Sequence, residues 1–187
     1  MGSALSDAVE ALRRGGLVVY PTDTLLGLGA LASHRGAVGQ LLATKGRSPA
    51  QPISVCVSST EEVERYARVS PAARRFLRRH LPGPFTVLLP PSSTARRSFA
   101  PSVGGLATIG FRVPDHPVAR ELARAAGPIT ATSANRHGAP AARTVAEARR
   151  ALGPAVSIYL AAVPKGTGHP STLVDLIGAE PREIVRS

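Results

Sequence analysis

The stretch LVVYPTDTLLGLG, residues 17–29, decides the fold class. Residues 17–20 form a short apolar run of β-type residues that ends at Pro21, because proline lacks the N–H that a central strand needs. Residues 21–29 are rich in threonine, aspartate and glycine, which predicts a loop leaving the strand. Loops that follow strands are where α/β sheets build ligand sites.

Helical and strand-like segments alternate on both sides of this stretch. Apolar spacing and two capping boxes, Ser59 with Glu62 and Thr144 with Glu147, predict helices at 4–14, 35–44, 59–67, 70–82, 116–126 and 144–152. Strands are predicted at 53–57, 85–89, 106–113, 156–160, 173–177 and 183–185, with a short one leading into TATSAN at 130–135. This interspersed order predicts an α/β domain with a mixed sheet and flanking helices.

Length and composition exclude several classes of protein. The 187 residues, 43% hydrophobic and 19% charged, suit one globular domain and argue against disorder. The single cysteine, Cys56, excludes an internal disulfide framework and a cysteine-based zinc cluster, and its apolar strand favours a core role over a nucleophilic one. No secretory signal and no bilayer-spanning run are present, so a cytoplasmic protein without membrane contact is expected.

The charge balance favours partners that carry phosphate. Lys plus Arg number 23 against 12 Asp plus Glu, a formal net charge of +11. The arginines of residues 74–79 are most simply a solvated helix face, with weak RNA binding as the second interpretation. The phosphate loop GxxxxGK[ST], the dinucleotide motif GxGxxG and paired histidines at metal spacing are all missing from the sequence.

Several polar residues in loops have two interpretations each. Lys45 and Arg47 lie two apart in a loop rich in glycine and proline, and either converge on one polyphosphate or are two solvated charges. Ser133 and Asn135 are either turn residues or ligands of a nucleotide. Thr22 is favoured as a plain turn former.

Alternation along residues 106–113 places Thr108 and Arg112 on one face of a strand. An arginine there needs water or an anionic partner, so this face is either a binding cavity or an ordinary solvated surface. Gly110 lies between the two side chains and is expected to leave space above the sheet for a small ligand.

Six blocks in a fixed order carry a family resemblance that covers residues 15 to about 185. They are GGLVVYPTDTLLGLGALA (15–32), KGR (45–47) followed by a proline and a β-run, LPGPFTVLLP (81–90), TIGFRVPDHP (108–117), TSAN (132–135) and STLVDL (171–176). This order resembles the YrdC-like family of threonylcarbamoyl-AMP synthases. The resemblance implies a twisted mixed sheet with flanking helices and a large, basic, concave cavity.

The resemblance also implies an enzyme, a nucleotidyltransferase that makes threonylcarbamoyl-AMP and pyrophosphate from L-threonine, bicarbonate and ATP. Magnesium would be held mainly by the ATP phosphates, with no metal ligands from the chain. The product would serve the threonylcarbamoyladenosine modification of tRNA. Implied partners are tRNA or double-stranded RNA and the downstream threonylcarbamoyl-transfer complex. The alternative is a noncatalytic RNA-binding module of the same fold, associated with tRNA or the ribosome.

Site residues follow from the matched motifs. The resemblance implies catalytic, phosphate-neutralising roles for Lys45 and Arg47. It implies two binding sets: for the nucleotide Lys45, Arg47, Thr108, Ser133 and Asn135, and for threonine Thr24, Arg112 and Ser171. Arg112 is expected to hold a carboxylate or the carbamate through a forked pair of hydrogen bonds.

Three departures from the family pattern shape these expectations. Leu26 stands where members often have an aromatic residue before the GLG. Cys56 stands where longer members tend to carry a histidine, which puts a threonine contact there in doubt. The chain stops soon after Arg186, so a single domain over residues 1–187, without the C-terminal domain of the long forms, is expected.

Overall fold

The computed structural model describes residues 2–104, 107–161 and 166–184. Its helices are α1 (Ser3–Arg13), α2 (Arg35–Lys45), α3 (Thr60–Tyr66), α4 (Pro71–His80), α5 (Ser93–Ser98), α6 (Pro117–Ala126) and α7 (Val145–Leu152). Its strands are β1 (Val18–Tyr20), β2 (Gly27–Gly29), β3 (Ser54–Cys56), β4 (Phe85–Leu89), β5 (Ile109–Arg112), β6 (Ile129–Ser133), β7 (Ile158–Tyr159), β8 (Thr172–Asp175) and β9 (Arg182–Ile184).

The nine strands form one sheet in the order β7-β1-β2-β6-β3-β5-β4-β8-β9. Three pairs, β1 with β7, β3 with β5 and β4 with β8, are parallel, and the other neighbours are antiparallel. The predicted α/β class with a mixed sheet and flanking helices is therefore confirmed. Strands that are distant in sequence, such as β6 and β3, are neighbours in its centre. Segments next to these strands are therefore brought together from distant parts of the chain.

Two hydrophobic cores lie on opposite faces of this sheet. Val19 and Val55 belong to the larger core, which also holds the apolar faces of α2, α3, α4 and α7, whereas their neighbours Val18 and Cys56 belong to the smaller core with α1 and α6. Adjacent residues of a strand point to opposite faces, so each core covers one face. Because only α1 and α6 pack in the smaller core, part of that face is left, among the described residues, to form the floor of a cavity.

Most predicted elements are found with ends that agree within a few residues, and β4 has the predicted limits. Both predicted N-caps are confirmed: the hydroxyls of Ser59 and Thr144 accept from the backbone N–H groups of Glu62 and Glu147. Within the predicted strand 106–113, residues 109–112 form β5. Its first predicted residue, Leu106, lies outside the described residues, as does Val185 at the end of the last predicted strand.

Two segments differ from the sequence-based prediction. Helix α5 falls in a segment for which no element was predicted, and it begins at a side-chain cap, where the Ser92 hydroxyl accepts from the N–H of Ala95. Residues 27–29, predicted as loop, form β2 instead, paired with β1 so that Tyr20 lies opposite Gly27. Glycine is required there because a Cβ on Gly27 would lie 2.6 Å from Cζ of the buried Tyr20 ring.

None of the described helices has the length and apolar character that crossing a membrane requires.

The contact between Tyr20 and Gly27 predicts opposite effects for two Gly→Ala substitutions. Gly27→Ala should lower the free energy of unfolding by about 1–3 kcal/mol, because the methyl group overpacks a fixed ring. Gly39→Ala, on the exposed side of α2 where a Cβ meets nothing within 4 Å, should raise it by about 0.5–1 kcal/mol. Urea unfolding of both variants measures the difference. An unchanged or increased stability of Gly27→Ala would contradict the packing of β1 on β2.

Candidate substrate cavity

A cavity of about 450 Å³ lies on the sheet face that carries the smaller core. Its floor crosses six neighbouring strands, from β2 through β6, β3, β5 and β4 to β8. The segment after β1 and the loop after α2 supply its walls. The lining is rich in hydroxyl groups, with two guanidinium groups, Arg47 and Arg112. Such a lining suits a ligand with several oxygen atoms and negative charge.

Six of the eight site residues predicted from the sequence line this cavity, namely Thr24, Arg47, Thr108, Arg112, Ser133 and Ser171. They come from distant parts of the chain, and only Arg112 and Ser133 lie within strands, while the other four lie in segments next to the sheet. Lys45 and Asn135 are absent from the lining, and both are buried next to it. The face that Thr108 and Arg112 share borders the cavity and is not an ordinary solvated surface.

Arg112 is bound to the loop that follows β1. Its Nη2 donates to Oδ1 of Asp23 at 2.7 Å, and its Nη1 donates to Oγ1 of Thr24 at 2.8 Å. Arg112 is only 9% exposed and the side chain of Asp23 is 12% exposed, so a buried guanidinium is paired with a largely buried carboxylate. Both terminal nitrogens therefore already have partners. The forked pair expected for a ligand carboxylate has to use the hydrogens that remain on the guanidinium.

The loop at residues 21–26 is ordered by its own threonines. The Thr22 hydroxyl donates to the carbonyl oxygen of Leu25 at 2.6 Å and accepts from the backbone N–H of Thr24 at 3.1 Å. Thr22 thus closes the turn, as its favoured interpretation predicts. The turn presents the Thr24 side chain to Arg112 and to the cavity.

Hydroxyl groups on the floor pack around Gly110. Oγ1 of Thr86 on β4 lies 2.7 Å from Oγ of Ser171, and both residues are buried. A Cβ on Gly110 would clash with Oγ of Ser54 and would lie 3.2 Å from Cγ2 of Thr86. Gly110 does line the cavity, but the space directly beside its Cα is taken by the side chains of Ser54 and Thr86. Its missing side chain makes room for two neighbouring side chains, and the ligand space lies above them.

The two cations of the KGR loop point to different places. Arg47 lines the cavity, and its Nη2 donates to the carbonyl oxygen of Pro52 at 2.7 Å. Nζ of Lys45 instead donates to the carbonyl oxygens of Ser133 and Asn135 at 2.6 and 2.5 Å. Burial, with a smaller contribution from the nearby charge of Arg47, lowers the pKa of Lys45 to about 8.

Cys56 is a core residue, as predicted. It lies on β3 in the smaller core, with no exposed surface. Burial raises the pKa of its thiol to about 12, and the same cause raises the pKa of the neighbouring Tyr20 well above its usual range. Tyr20 donates its hydroxyl to the carbonyl oxygen of Thr130 at 3.1 Å and also lines the cavity. Among the described residues, no group of three or more His, Cys, Asp or Glu side chains is placed to hold a metal ion.

The residues of the cavity region that the sequence-based assignment missed include Asp23, Ser54 and Thr86. Thr86 and Ser54 are polar residues in otherwise apolar strand runs, which was the available signal. Asp23 was given no role in the site by the sequence-based assignment. Its ionic role could have been inferred from the need of a strand arginine for a counter-charge.

Comparison with known proteins gives a consistent result. The family model Sua5_yciO_yrdC, described as "Telomere recombination", matches residues 10–187. A Chromohalobacter salexigens protein named threonylcarbamoyl-AMP synthase is 38% identical over 178 residues, which cover 94% of each chain.

Two solved structures have the same fold. The structure of P. abyssi Sua5 complexed with L-threonine has a TM-score of 0.87 at 30% identity and covers 96% of this chain, which spans about half of that longer chain (52%). The solution structure of the MTH1692 protein from Methanobacterium thermoautotrophicum has a TM-score of 0.77 at 39% identity. It covers 99% of this chain and 86% of that one.

The ion pair between Arg112 and Asp23 predicts that replacing two different acidic residues by alanine will change the free energy of unfolding by very different amounts. Asp23→Ala leaves the charge of Arg112 without its carboxylate and should lower the free energy of unfolding by about 3 kcal/mol or more. Glu10→Ala removes an exposed pair with Arg14, in which the side chains are 62% and 71% exposed, and should cost less than about 0.5 kcal/mol. Denaturant unfolding compares the two. Equal, small losses would mean that Arg112 does not depend on Asp23.

The high pKa of Cys56 predicts an inert thiol in the folded protein. A thiol pKa of about 12 leaves almost no thiolate at pH 8, and burial also blocks access. Iodoacetamide should therefore label Cys56 only after unfolding in guanidinium chloride, as measured by mass spectrometry. Rapid labelling of the native protein at pH 8 would contradict this placement.

Proposed function

The chain belongs to the Sua5/YciO/YrdC family, and we propose that it is an L-threonylcarbamoyladenylate synthase. The observation that carries the proposal is the cavity, in which hydroxyl groups surround two guanidinium groups on one sheet face. A substrate with a carboxylate and a polyphosphate matches this lining. The name of the C. salexigens relative and the threonine bound to P. abyssi Sua5 support the same function.

The proposed reaction has two bond-forming steps. The threonine amine attacks the carbon of bicarbonate, and loss of water leaves a carbamate. A carbamate oxygen then attacks the α-phosphorus of ATP, the bond to the bridging oxygen breaks, and pyrophosphate leaves. Neither step needs a nucleophile from the protein, so the chain would contribute positioning and charge stabilisation. A partly closed cavity would also protect the carbamate from water.

The predicted residues divide between the two substrates in this proposal. Arg47 faces the cavity and would neutralise phosphate charge, with Thr108 and Ser133 on the nucleotide side. Arg112, already fixed by Asp23, would bind the threonine carboxylate or the carbamate through its remaining N–H groups. The threonine side would also include Thr24 and Ser171, while Lys45 and Asn135 would act from behind the cavity surface.

Magnesium would arrive on the nucleotide. The cavity lining offers hydroxyl oxygens but, among the described residues, no carboxylate side chain. This donor set fits an ion held mainly by phosphate oxygens and water, because Mg²⁺ keeps several waters when it binds with phosphates. When bound, the ion would reduce the charge repulsion around the α-phosphorus.

We also propose that the exposed arginines of α4 contact RNA weakly, as the tRNA-related function suggests. Arg75 and Arg79 are exposed and lie one helical turn apart. Such contacts with phosphates are electrostatic and weaken steeply as salt rises. Since the relatives are named as synthases, a noncatalytic RNA-binding module is the less favoured function.

Pyrophosphate release tests the synthase directly. With ATP and magnesium, release should require L-threonine and bicarbonate together. Arg47→Ala should raise the KM for ATP, and Arg112→Ala should raise the KM for threonine, each lowering kcat/KM roughly thirtyfold through loss of a charge-assisted contact. Circular dichroism checks that both variants are folded.

A double substitution of Arg75 and Arg79 by alanine is the matched control. It removes two guanidinium groups outside the cavity, so it should leave pyrophosphate release unchanged while reducing RNA retention at low salt. Release without threonine, or none under any condition, would refute the synthase; RNA retention alone would then favour the binding module.

A further inference from the structure

Lys45 is the most fully enclosed cation of the described residues around the cavity. It is the last residue of α2 and is only 3% exposed. Three oxygens surround Nζ: the carbonyl oxygens of Ser133 and Asn135 at 2.6 and 2.5 Å, and Oδ1 of Asn135 at 3.4 Å. An ammonium group has three N–H donors, so these acceptors match its full capacity.

The backbone of Lys45 is bound to the same segment. Its carbonyl oxygen accepts from the N–H of His137 at 2.7 Å. Asn135 closes the segment on itself, because its Nδ2 donates to the carbonyl oxygens of Arg136 and Ala139 at 3.0 and 2.5 Å. The side chain and the main chain of Lys45 thus hold one turn, residues 133–139, at the edge of the cavity. Ser133, the first residue of this turn, is the one that lines the cavity.

We propose that Lys45 is a positioning residue, which places the Ser133 hydroxyl in the cavity by holding the turn at residues 133–139, and that it does not itself bind phosphate. The role of Ser133 in nucleotide binding rests on the proposed function. Arg47 lines the cavity and is the phosphate-binding member of the KGR loop. Phosphate binding by Lys45 would break contacts with three oxygens, and it would take from the carbonyl oxygen of Asn135 its bonded donor, whereas the carbonyl oxygen of Ser133 would keep the backbone N–H of Asn135 at 2.9 Å.

The choice of lysine supports this role. The chain has 21 arginines and only two lysines, so lysine at position 45 departs from its usual cation. Three acceptors that converge on one point suit a compact ammonium, whereas a planar guanidinium spreads its donors over a wide fork. A phosphate site, in contrast, would accept either side chain and is often served well by arginine.

The contacts by which Lys45 holds the turn at residues 133–139 are here called the clamp. Hydrogen exchange of the ligand-free protein tests this clamp without any substrate. In Lys45→Met and Lys45→Arg, the backbone amides of residues 135–139 should exchange about tenfold faster or more, because charge-assisted contacts are lost. In Arg47→Met they should exchange as in the wild type, and amides of β5 serve as the folding control in all variants. Wild-type exchange of the turn in both Lys45 variants would overturn the proposal.

ATP affinity then separates positioning from direct contact. If Lys45 acts through Ser133, the Ser133→Ala substitution should weaken ATP binding in the wild type. In the Lys45→Met background it should cause little further loss of ATP affinity, whereas in the Arg47→Met background it should cause the same loss as in the wild type. Lys45→Arg keeps the charge and should fail to restore affinity. Additive effects of Lys45→Met and Ser133→Ala, or rescue by Lys45→Arg, would overturn the proposal in favour of a direct phosphate contact.

The two measurements also distinguish this proposal from the synthase function. Exchange of the turn is measured without ATP and without turnover. A protein that lacks synthase activity but shows the accelerated exchange would refute the proposed function and leave the clamp intact. Normal synthase activity with unchanged exchange of the turn would refute the role proposed for Lys45 and leave the proposed function intact.

Discussion

The cavity depends on one buried charge. Arg112 projects from the central strand β5, and the cost of burying a guanidinium is offset only if a carboxylate and further acceptors approach it closely. Asp23 and Thr24 supply these contacts, which fix the loop after β1 over the sheet. The carbonyl oxygen of Asp23 in turn accepts from the N–H of Thr167 at 3.0 Å, so the segment before β8 is docked against the same loop. Gly166 lies so close to the carbonyl of Thr24 that a side chain would not fit.

The same ion pair limits what the cavity can attract. A free guanidinium would draw in any anion, but the charge of Arg112 is partly neutralised by Asp23 at 2.7 Å. Near Arg112, affinity must then come from several directional contacts together, which the hydroxyl groups of the floor can provide. Thr86 and Ser171, whose hydroxyl oxygens lie 2.7 Å apart, are such a pair. A cavity of this kind favours a ligand whose polar groups match in position over one that merely carries charge.

Sequence patterns predicted what depends on neighbours along the chain. The caps at Ser59 and Thr144 and the limits of β4 rest on local spacing and were found as predicted. Strand β2 was missed because two of its three residues are glycines, and glycine is depleted in strands. The reason for these glycines is the Tyr20 ring on the paired strand, a contact that only the register of β1 and β2 reveals. The same limit applies to the site. The motifs indicated Arg112 and Ser171, but Thr86 was missed because its contact with Ser171 joins distant parts of the chain.

The KGR loop shows why spacing alone could not give the direction of its cations. Two charges separated by one residue would converge on a single phosphate if the backbone between them were extended, because side chains two residues apart in a strand share a face. Gly46 instead adopts a left-handed conformation, with φ 65° and ψ 34°, and ends α2 there. The chain reverses its course at this residue, so Lys45 points inward to the turn after β6 and Arg47 points to the cavity. One glycine thereby directs a pair of like charges into two different surroundings, one buried against the turn after β6 and one in the cavity lining.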